Sequence, residues 1–299
     1  MPATTATTFP QLVLDQAGRL ASRPFLQVWA EDEGVVLALS FADFSVRTAA
    51  AQQALDVRCG ERVAFLAHPS VHFYVYLLGT MCRGGVPVVL NWRQPADVLV
   101  TMTHLASAGL LVAAPPLISE ARHVVGELKG LRALLWMQPP SGCATPPMSA
   151  ALPPGETLLP VLDGDNPFCS ELVLDNVPDG SLAGEAIALI MFTSGSTATP
   201  KGVPLTHAGL LWNFALKLSS SPELTDDDDA GTLSLLPNFH VIGLCNNFLF
   251  NLFAGVRCAV DRDAALRPLN ARRLLAACNV LRPSVLDTSD RVRVIGLGL

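Results

Sequence analysis

Lysine is scarce in this sequence. Of 299 residues, only Lys129, Lys201 and Lys217 carry an ε-ammonium, and tyrosine is scarcer still, with Tyr74 and Tyr76 alone. Charge is thin altogether, at 15% of residues against 50% hydrophobic, and the formal net charge is −6. An acidic chain without a basic stripe argues against nucleic acid as a partner, because phosphate backbones are held by clustered Lys and Arg. Any anion bound here must meet a local positive group and not a global field. No run of about 20 apolar residues passes without a charge or a glycine or proline break, so no transmembrane helix is expected. The nearest candidate, Phe73 to Trp92, is interrupted by Arg83, Gly84, Gly85 and Pro87. It reads as a buried helix followed by a buried strand.

Paired cysteine motifs are also lacking. Cys59, Cys82, Cys143, Cys169, Cys245, Cys258 and Cys278 make an odd count of seven with no Cys-x-x-Cys, and the six histidines form no ligand cluster. That argues against a disulfide frame and a structural zinc, and for a reducing compartment. Met1 to Pro10 has neither the positive start nor the apolar centre of a secretory signal. An intracellular, cytoplasmic location is expected, with no metal held by side chains of this chain.

What is present alternates. Val63 to Ala67, Val86 to Leu90, Leu110 to Ala113 and Leu131 to Trp136 read as buried strands. Ser70 to Cys82, Pro95 to Ala108 and Ser119 to Leu128 read as the helices between them. Continuous apolar strands separated by helices imply a parallel sheet covered on both faces. Ahead of them, Ser40 and Asp43 mark a helix start that runs to Leu55. Pro139 to Pro160 holds seven prolines with Ser and Gly between, and reads as a linker or a long surface excursion. A second α/β run follows. Its strands are Ala186 to Phe192, Thr232 to Leu236 and Val256 to Val260, and its helices are Thr206 to Leu218, Val241 to Ala254 and Asn270 to Leu281. Asp226 to Asp229 reads as a solvated turn, since four adjacent carboxylates cannot all face one ion. The division in chain order is therefore 1–138, a first α/β portion; 139–184, the proline-rich excursion; and 185–299, a second α/β portion.

The segment that carries chemistry is Thr193-Ser194-Gly195-Ser196-Thr197-Ala198-Thr199-Pro200-Lys201-Gly202. A buried strand feeds a loop of hydroxyl residues with two glycines and a lysine. Glycine lets backbone amides approach an anion closely. Backbone N–H groups and hydroxyls donate to phosphate oxygens, and Lys201 adds a positive charge. The pattern is not a Walker loop, which needs Gly-Lys-Ser/Thr. A plain turn has no need of five hydroxyls, two glycines and a lysine.

These residues resemble the AMP-forming acyl-CoA synthetases, luciferases and adenylation domains. Their phosphate loop reads Thr-Ser-Gly-Ser/Thr-Thr-Gly-x-Pro-Lys-Gly, followed by Val and, a few residues on, Thr-His; here the followers are Val203, Thr206 and His207. The likeness departs at Ala198, where the family has its second glycine. Pro237-Asn238-Phe239-His240-Val241-Ile242-Gly243 is similar to the family's Pro-x-Phe-His-x-x-Gly, whose His borders the acyl and nucleotide sites. Gly60-Glu61-Arg62-Val63-Ala64 and the stretch from Gly79 to Asn91 resemble fold-bearing motifs of the same family. The likeness runs from about Ser40 to Thr288.

The resemblance implies a partial large N-terminal domain of the adenylate-forming α/β fold, with mainly parallel sheets covered by helices. It implies ATP-dependent activation of a carboxylic acid as the acyl-adenylate, leading to an acyl-CoA or another thioester, with ATP, Mg²⁺ and coenzyme A as the small molecules involved. Thr193 to Gly202 would bind the ATP phosphates, and His240 would be the catalytic residue. The family's Tyr-Gly-x-Thr-Glu and Thr-Gly-Asp do not occur, and no lysine follows Lys217, so the lysine-bearing C-terminal domain is expected to be absent. Two other readings stand beside the enzyme: a truncated, inactive nucleotide- or acyl-binding fragment, and an interaction module whose apolar edge recruits a protein partner.

Overall fold

In a computed structural model, described over residues 6–138, 152–160, 162, 184–193, 199–221, 224, 230–262 and 271–287, the two α/β runs become two sheets. In chain order the elements are α1 (Phe9–Arg19), β1 (Pro24–Ala30), β2 (Gly34–Ser40), α2 (Phe41–Ala54), β3 (Arg62–Leu66), α3 (Val71–Cys82), β4 (Val86–Val89), α4 (Ala96–Leu105), β5 (Leu110–Ala113), α5 (Ile118–Glu127), β6 (Ala133–Trp136) and β7 (Glu156–Leu158). Then come β8 (Ile187–Thr193), β9 (Lys201–Thr206), α6 (His207–Ser219), β10 (Gly231–Ser234), a π-helix (Ile242–Leu249), α7 (Phe250–Ala254), β11 (Arg257–Asp261), α8 (Ala271–Leu281) and β12 (Val285–Asp287). The chain packs as two units that interleave in sequence. One takes Met1–Ser45, Pro69–Val71 and His207–Leu299; the other takes Val46–His68 and His72–Thr206.

The unit that contains the Thr193 segment is built on a seven-stranded sheet in the order β7-β6-β5-β3-β4-β8-β9. All neighbours are parallel except β8 and β9. Every residue of β4 and β5 is buried, as an all-parallel interior with two covered faces requires. Pro87 sits inside this sheet without breaking it. Val86 donates its N–H to Glu61 on the β3 side (2.8 Å), so the amide that Pro87 lacks would face β8, whose pairing begins only at Val88. One face is filled by Leu66, Val88, Leu99, Met102, Leu111, Val124 and Trp136. On α3, Gly79 lies so close to α2 that a Cβ would fall 2.8 Å from the Ala51 methyl carbon. Within the proline-rich stretch, β7 pairs with β6 and Leu159 is buried. Residues 139–151 and most of 161–183 lie outside the described residues.

The other unit carries a five-stranded sheet, β12-β10-β11-β1-β2, parallel except for the β1–β2 pair. Trp29, Leu233, Ala259, Ala277, Cys278 and Leu281 close its core. Phe25 stacks on Phe41 at 4.6 Å and meets Phe44 edge-on at 4.9 Å. Ser40 caps α2 as expected, and Asp43 makes the cap reciprocal: Asp43 N–H donates to Ser40 Oγ (3.1 Å), and Ser40 N–H donates to Asp43 Oδ2 (3.0 Å).

Several elements differ from the sequence reading, among them β7, a strand within the stretch read as a linker or surface excursion, which forms because β6 offers it a parallel ladder. Residues 201–206 form a strand where only a connection was expected. The expected helix from Val241 to Ala254 is two windings, π and then α. The first 40 residues, unassigned from sequence, supply α1, β1 and β2. The Asp226 to Asp229 turn lies outside the described residues.

Candidate functional site

The two strands on either side of the hydroxyl-rich segment, β8 and β9, form an antiparallel hairpin. β8 and β9 pair from Ile187 opposite Thr206 to Thr193 opposite Lys201. Thr193 is therefore the last residue of one strand and Lys201 the first of the other, and both are exposed. They stand at the base of loop 194–200. Thr199 and Pro200 lie in its descending limb. Ser194, Gly195, Ser196, Thr197 and Ala198 lie outside the described residues.

The strand that feeds the loop is fixed on two sides. Its residues Ala188 to Met191 are buried, and Val88 and Val89 of β4 pair with Ile190 and Met191. β9 is an edge strand, which tolerates Pro204 because an edge amide needs no ladder partner. Gly202 faces Phe192 across the hairpin. A Cβ at Gly202 would stand 3.4 Å from the Phe192 ring and 3.3 Å from Ile190 Cγ2, so the absent side chain lets the ring lie over the backbone beside Lys201.

The loop leaves the C-terminal end of β8, the edge of a parallel sheet where open α/β folds bind ligands. Electrostatics agree with that placement. Between Glu185 and Glu223 the chain has no carboxylate, while Lys201 and Lys217 fall in that interval. Two neighbouring strands end in residues that the sequence reading passed over. His68 follows β3, and Trp92 and Arg93 follow β4. The rings of His68 and Trp92 meet edge-on at 4.5 Å, and the Arg93 guanidinium lies 4.9 Å from the Trp92 ring centroid. Burial, with Arg93 nearby, holds the His68 imidazole below its ordinary range, against a smaller opposing pull from Glu120. The signal was an aromatic next to a base directly after a buried strand.

His240 belongs to the other unit. It is exposed and precedes the π-helix. Its N–H donates to the Pro237 carbonyl (3.1 Å), its carbonyl accepts from Leu244 N–H (3.0 Å), and its ring lies 4.6 Å from that of Phe239. His207, the first residue of α6, is buried. Its Nδ1 accepts from the Phe9 N–H at 3.3 Å, and burial pushes its pKa down to about 4. It is a neutral structural histidine that ties α1 to α6. Among the described residues no group of three or more His, Cys, Asp or Glu is placed to hold a metal, and no helix is long and apolar enough to cross a membrane.

Known proteins resemble this chain in sequence and in fold. A feruloyl-CoA synthase from Amycolatopsis sp is 30% identical over 246 residues, which cover 79% of this chain and 42% of that protein. The long-chain-fatty-acid–AMP ligase FadD23 of Mycobacterium tuberculosis is 25% identical over 253 residues, 82% of this chain and 39% of that one. The chain thus spans about two fifths of the length of these relatives. In structure, the acetoacetyl-CoA synthetase of Streptomyces lividans superposes with a TM-score of 0.73 at 17% identity, over 93% of this chain and 42% of that one. That likeness shows the fold alone. The sequence matches the AMP-binding enzyme family over residues 39–292, and the chain belongs to that family.

Proposed function

We propose that this chain carries the triphosphate-holding part of an enzyme that activates a carboxylic acid with ATP. In that reaction a carboxylate oxygen attacks the α-phosphorus, the bond to the bridging oxygen breaks, and acyl-adenylate and pyrophosphate result. A thiol, coenzyme A or a protein-borne one, then displaces AMP. Thr193, Ser194, Ser196, Thr197 and Lys201 hold the β- and γ-phosphates, with backbone amides of Gly195 and Gly202 nearby, and His240 serves the acid. Catalysis of this kind is positioning and neutralisation of charge.

The observation that carries the reading is the hairpin. It sets a hydroxyl and an ammonium opposite one another at the base of a Ser/Thr/Gly loop, at the C-terminal edge of a parallel sheet, in a stretch free of carboxylates. Mg²⁺ enters the proposal with the nucleotide, as an ion that phosphates hold. The described residues offer it no carboxylate cluster, and no step is routed through it. Acid-dependent exchange of pyrophosphate into ATP, across fatty, aryl and amino acids, tests the reaction. Titration of the chain with ATP tests the hairpin. A chain that binds no ATP has another role.

One observation favours a second reading, an interaction module. Trp212 and Leu216, four residues apart on α6, are 67% and 48% exposed. Tight association with a protein and no affinity for ATP would favour that reading over the enzyme.

A further inference from the structure

Residues Ile242–Leu249 are wound as a π-helix. The Phe250 N–H that closes it reaches the Cys245 carbonyl, five residues back, as well as that of Asn247. Such winding is rare beyond a single turn, and it recurs at functional sites. It persists where surrounding contacts over-determine it.

Here the contacts are specific. Gly243 abuts the preceding turn so closely that a Cβ would fall 2.4 Å from the Pro237 carbonyl oxygen and 2.8 Å from that of Leu236. Asn247 is buried, and its Oδ1 accepts from Thr232 Oγ1 (3.0 Å), Asn251 Nδ2 (3.1 Å) and Cys258 Sγ (3.4 Å). Asn251 Nδ2 also donates to Thr232 Oγ1. From α6, Lys217 Nζ donates to the Asn246 carbonyl at 2.6 Å and stands 4.1 Å from the Phe250 ring centroid. Gly243, Asn247 and Asn251 recur every four residues. A ladder bonded five residues back holds more residues per turn than the 3.6 of an α-helix, so positions four apart stay closer to one line. That line faces β10 and the turn that follows it.

His240 stands one residue ahead of Val241, which caps this segment, and its carbonyl accepts from the Leu244 N–H. Its direction therefore follows the angular position of Leu244. Below, α7 is pinned by Gln16, whose amide donates to the Leu252 and Phe253 carbonyls at 2.9 and 2.8 Å. Rewinding 242–249 as an α-helix on a fixed α7 would turn the residues ahead of it by about 100° for each residue dropped from the ladder. It would also bring a side chain where only Gly243 fits.

We propose that Lys217 and Asn247 are positioning residues: they hold residues 242–249 in the π register, and through it they set the direction in which His240 is presented. The consequence for activity rests on the reading of His240 as a site residue; the register does not.

The test uses the full chain and the K217M, K217R and N247L variants, read by amide hydrogen exchange at Phe250 and by the NMR signals of the His240 and His207 imidazoles. In K217M and N247L the Phe250 amide exchanges about tenfold faster, the scale of one lost hydrogen bond to a charged or buried group. In both variants the His240 signals move and those of His207 stay, whereas K217R, which still donates, keeps the parent values. Should N247L fail to fold, K217M carries the test alone. Unchanged Phe250 exchange and unchanged His240 signals in K217M overturn the inference. His240→Ala separates it from the functional reading. If His240 moves in K217M while His240→Ala leaves acid binding intact, the register stands and the assignment of His240 to the acid fails.

Discussion

At the scale of single residues, Lys201 and His207 make opposite use of their positions. Lys201 is exposed at the head of β9, opposite Thr193, where an anion would meet the ammonium without its being desolvated beforehand. Lys201→Ala is expected to weaken ATP binding by about 1.5–3 kcal/mol, the scale of a charge-assisted hydrogen bond. Isothermal titration of both proteins checks this, and equal affinities would remove Lys201 from the site. His207 is buried and neutral. Its folded pKa of about 4 lies below the ordinary 6.5. Above pH 6.5 the imidazole is neutral in both states. As pH falls from 6.5 towards 4 the unfolded chain takes up a proton that the folded chain refuses, so stability drops, and below about 4 the loss is complete. The loss attributable to this one group is about 3 kcal/mol over that interval. His207→Gln should therefore flatten the stability profile between pH 6.5 and 5 relative to the parent, measured by urea unfolding. Parallel profiles would mean that His207 titrates normally.

At the scale of elements, packing against backbone is the sharpest constraint. Gly243→Ala places a methyl group against the Pro237 and Leu236 carbonyls, which cannot rotate away as a side chain can. A loss of roughly 1–3 kcal/mol is expected, the ordinary scale for overpacking, measured by the urea midpoint; no change would mean that the helix does not seat on that turn. Ala198→Gly is expected to strengthen ATP binding, because glycine opens backbone angles to the loop that alanine restricts. An unchanged affinity in titration would count against a φ > 0 requirement there. Strands β3, β4 and β5 were legible in the sequence because each is a continuous apolar run between helices, β8 because its apolar run leads into the hydroxyl-rich segment, and the cap of α2 because Ser40 and Asp43 carry its signature. β9 was not legible. Its first four residues are exposed, and it holds Gly202 and Pro204, so neither burial nor propensity marks it. It exists because Val203 and Leu205 pair with Met191 and Leu189 of a buried neighbour. β7 was hidden for a like reason, since a strand of three residues takes its identity from β6. The π winding has no periodic signal in a helix-period reading. Its signs are the glycine at 243 and the asparagines four and eight residues on, which acquire meaning only once β10 is beside them. In the candidate site, Thr193, Lys201, Gly202 and His240 were singled out by the motifs alone. The antiparallel pairing that sets Thr193 against Lys201 depends on tertiary structure and was not legible.

At the scale of the molecule, binding and turnover separate. The hairpin lies in one unit and His240 in the other, and the chain covers 39% and 42% of the two relatives named above. The family resemblance assigns adenine and Mg²⁺ to a Tyr-Gly-x-Thr-Glu motif, ribose to Thr-Gly-Asp, and the reacting carboxylate and α-phosphate to a lysine of a further domain. None of these is in the 299 residues: both tyrosines precede Met81, and the last lysine is Lys217. Groups that act as a unit lose their effect together, so a phosphate-holding hairpin does not deliver a proportionate share of the rate. Losing the placement of the reactants alone forfeits roughly 7–11 kcal/mol of barrier lowering. The 299-residue polypeptide by itself is therefore expected to bind ATP through the hairpin while catalysing little or no acid-dependent pyrophosphate exchange. Both quantities are measured on one preparation, so a misfolded sample is recognised by loss of the first. Exchange at an ordinary enzymatic rate, about 1 s⁻¹ or more, would show that the hairpin and His240 suffice for adenylation without the motifs that the family places downstream.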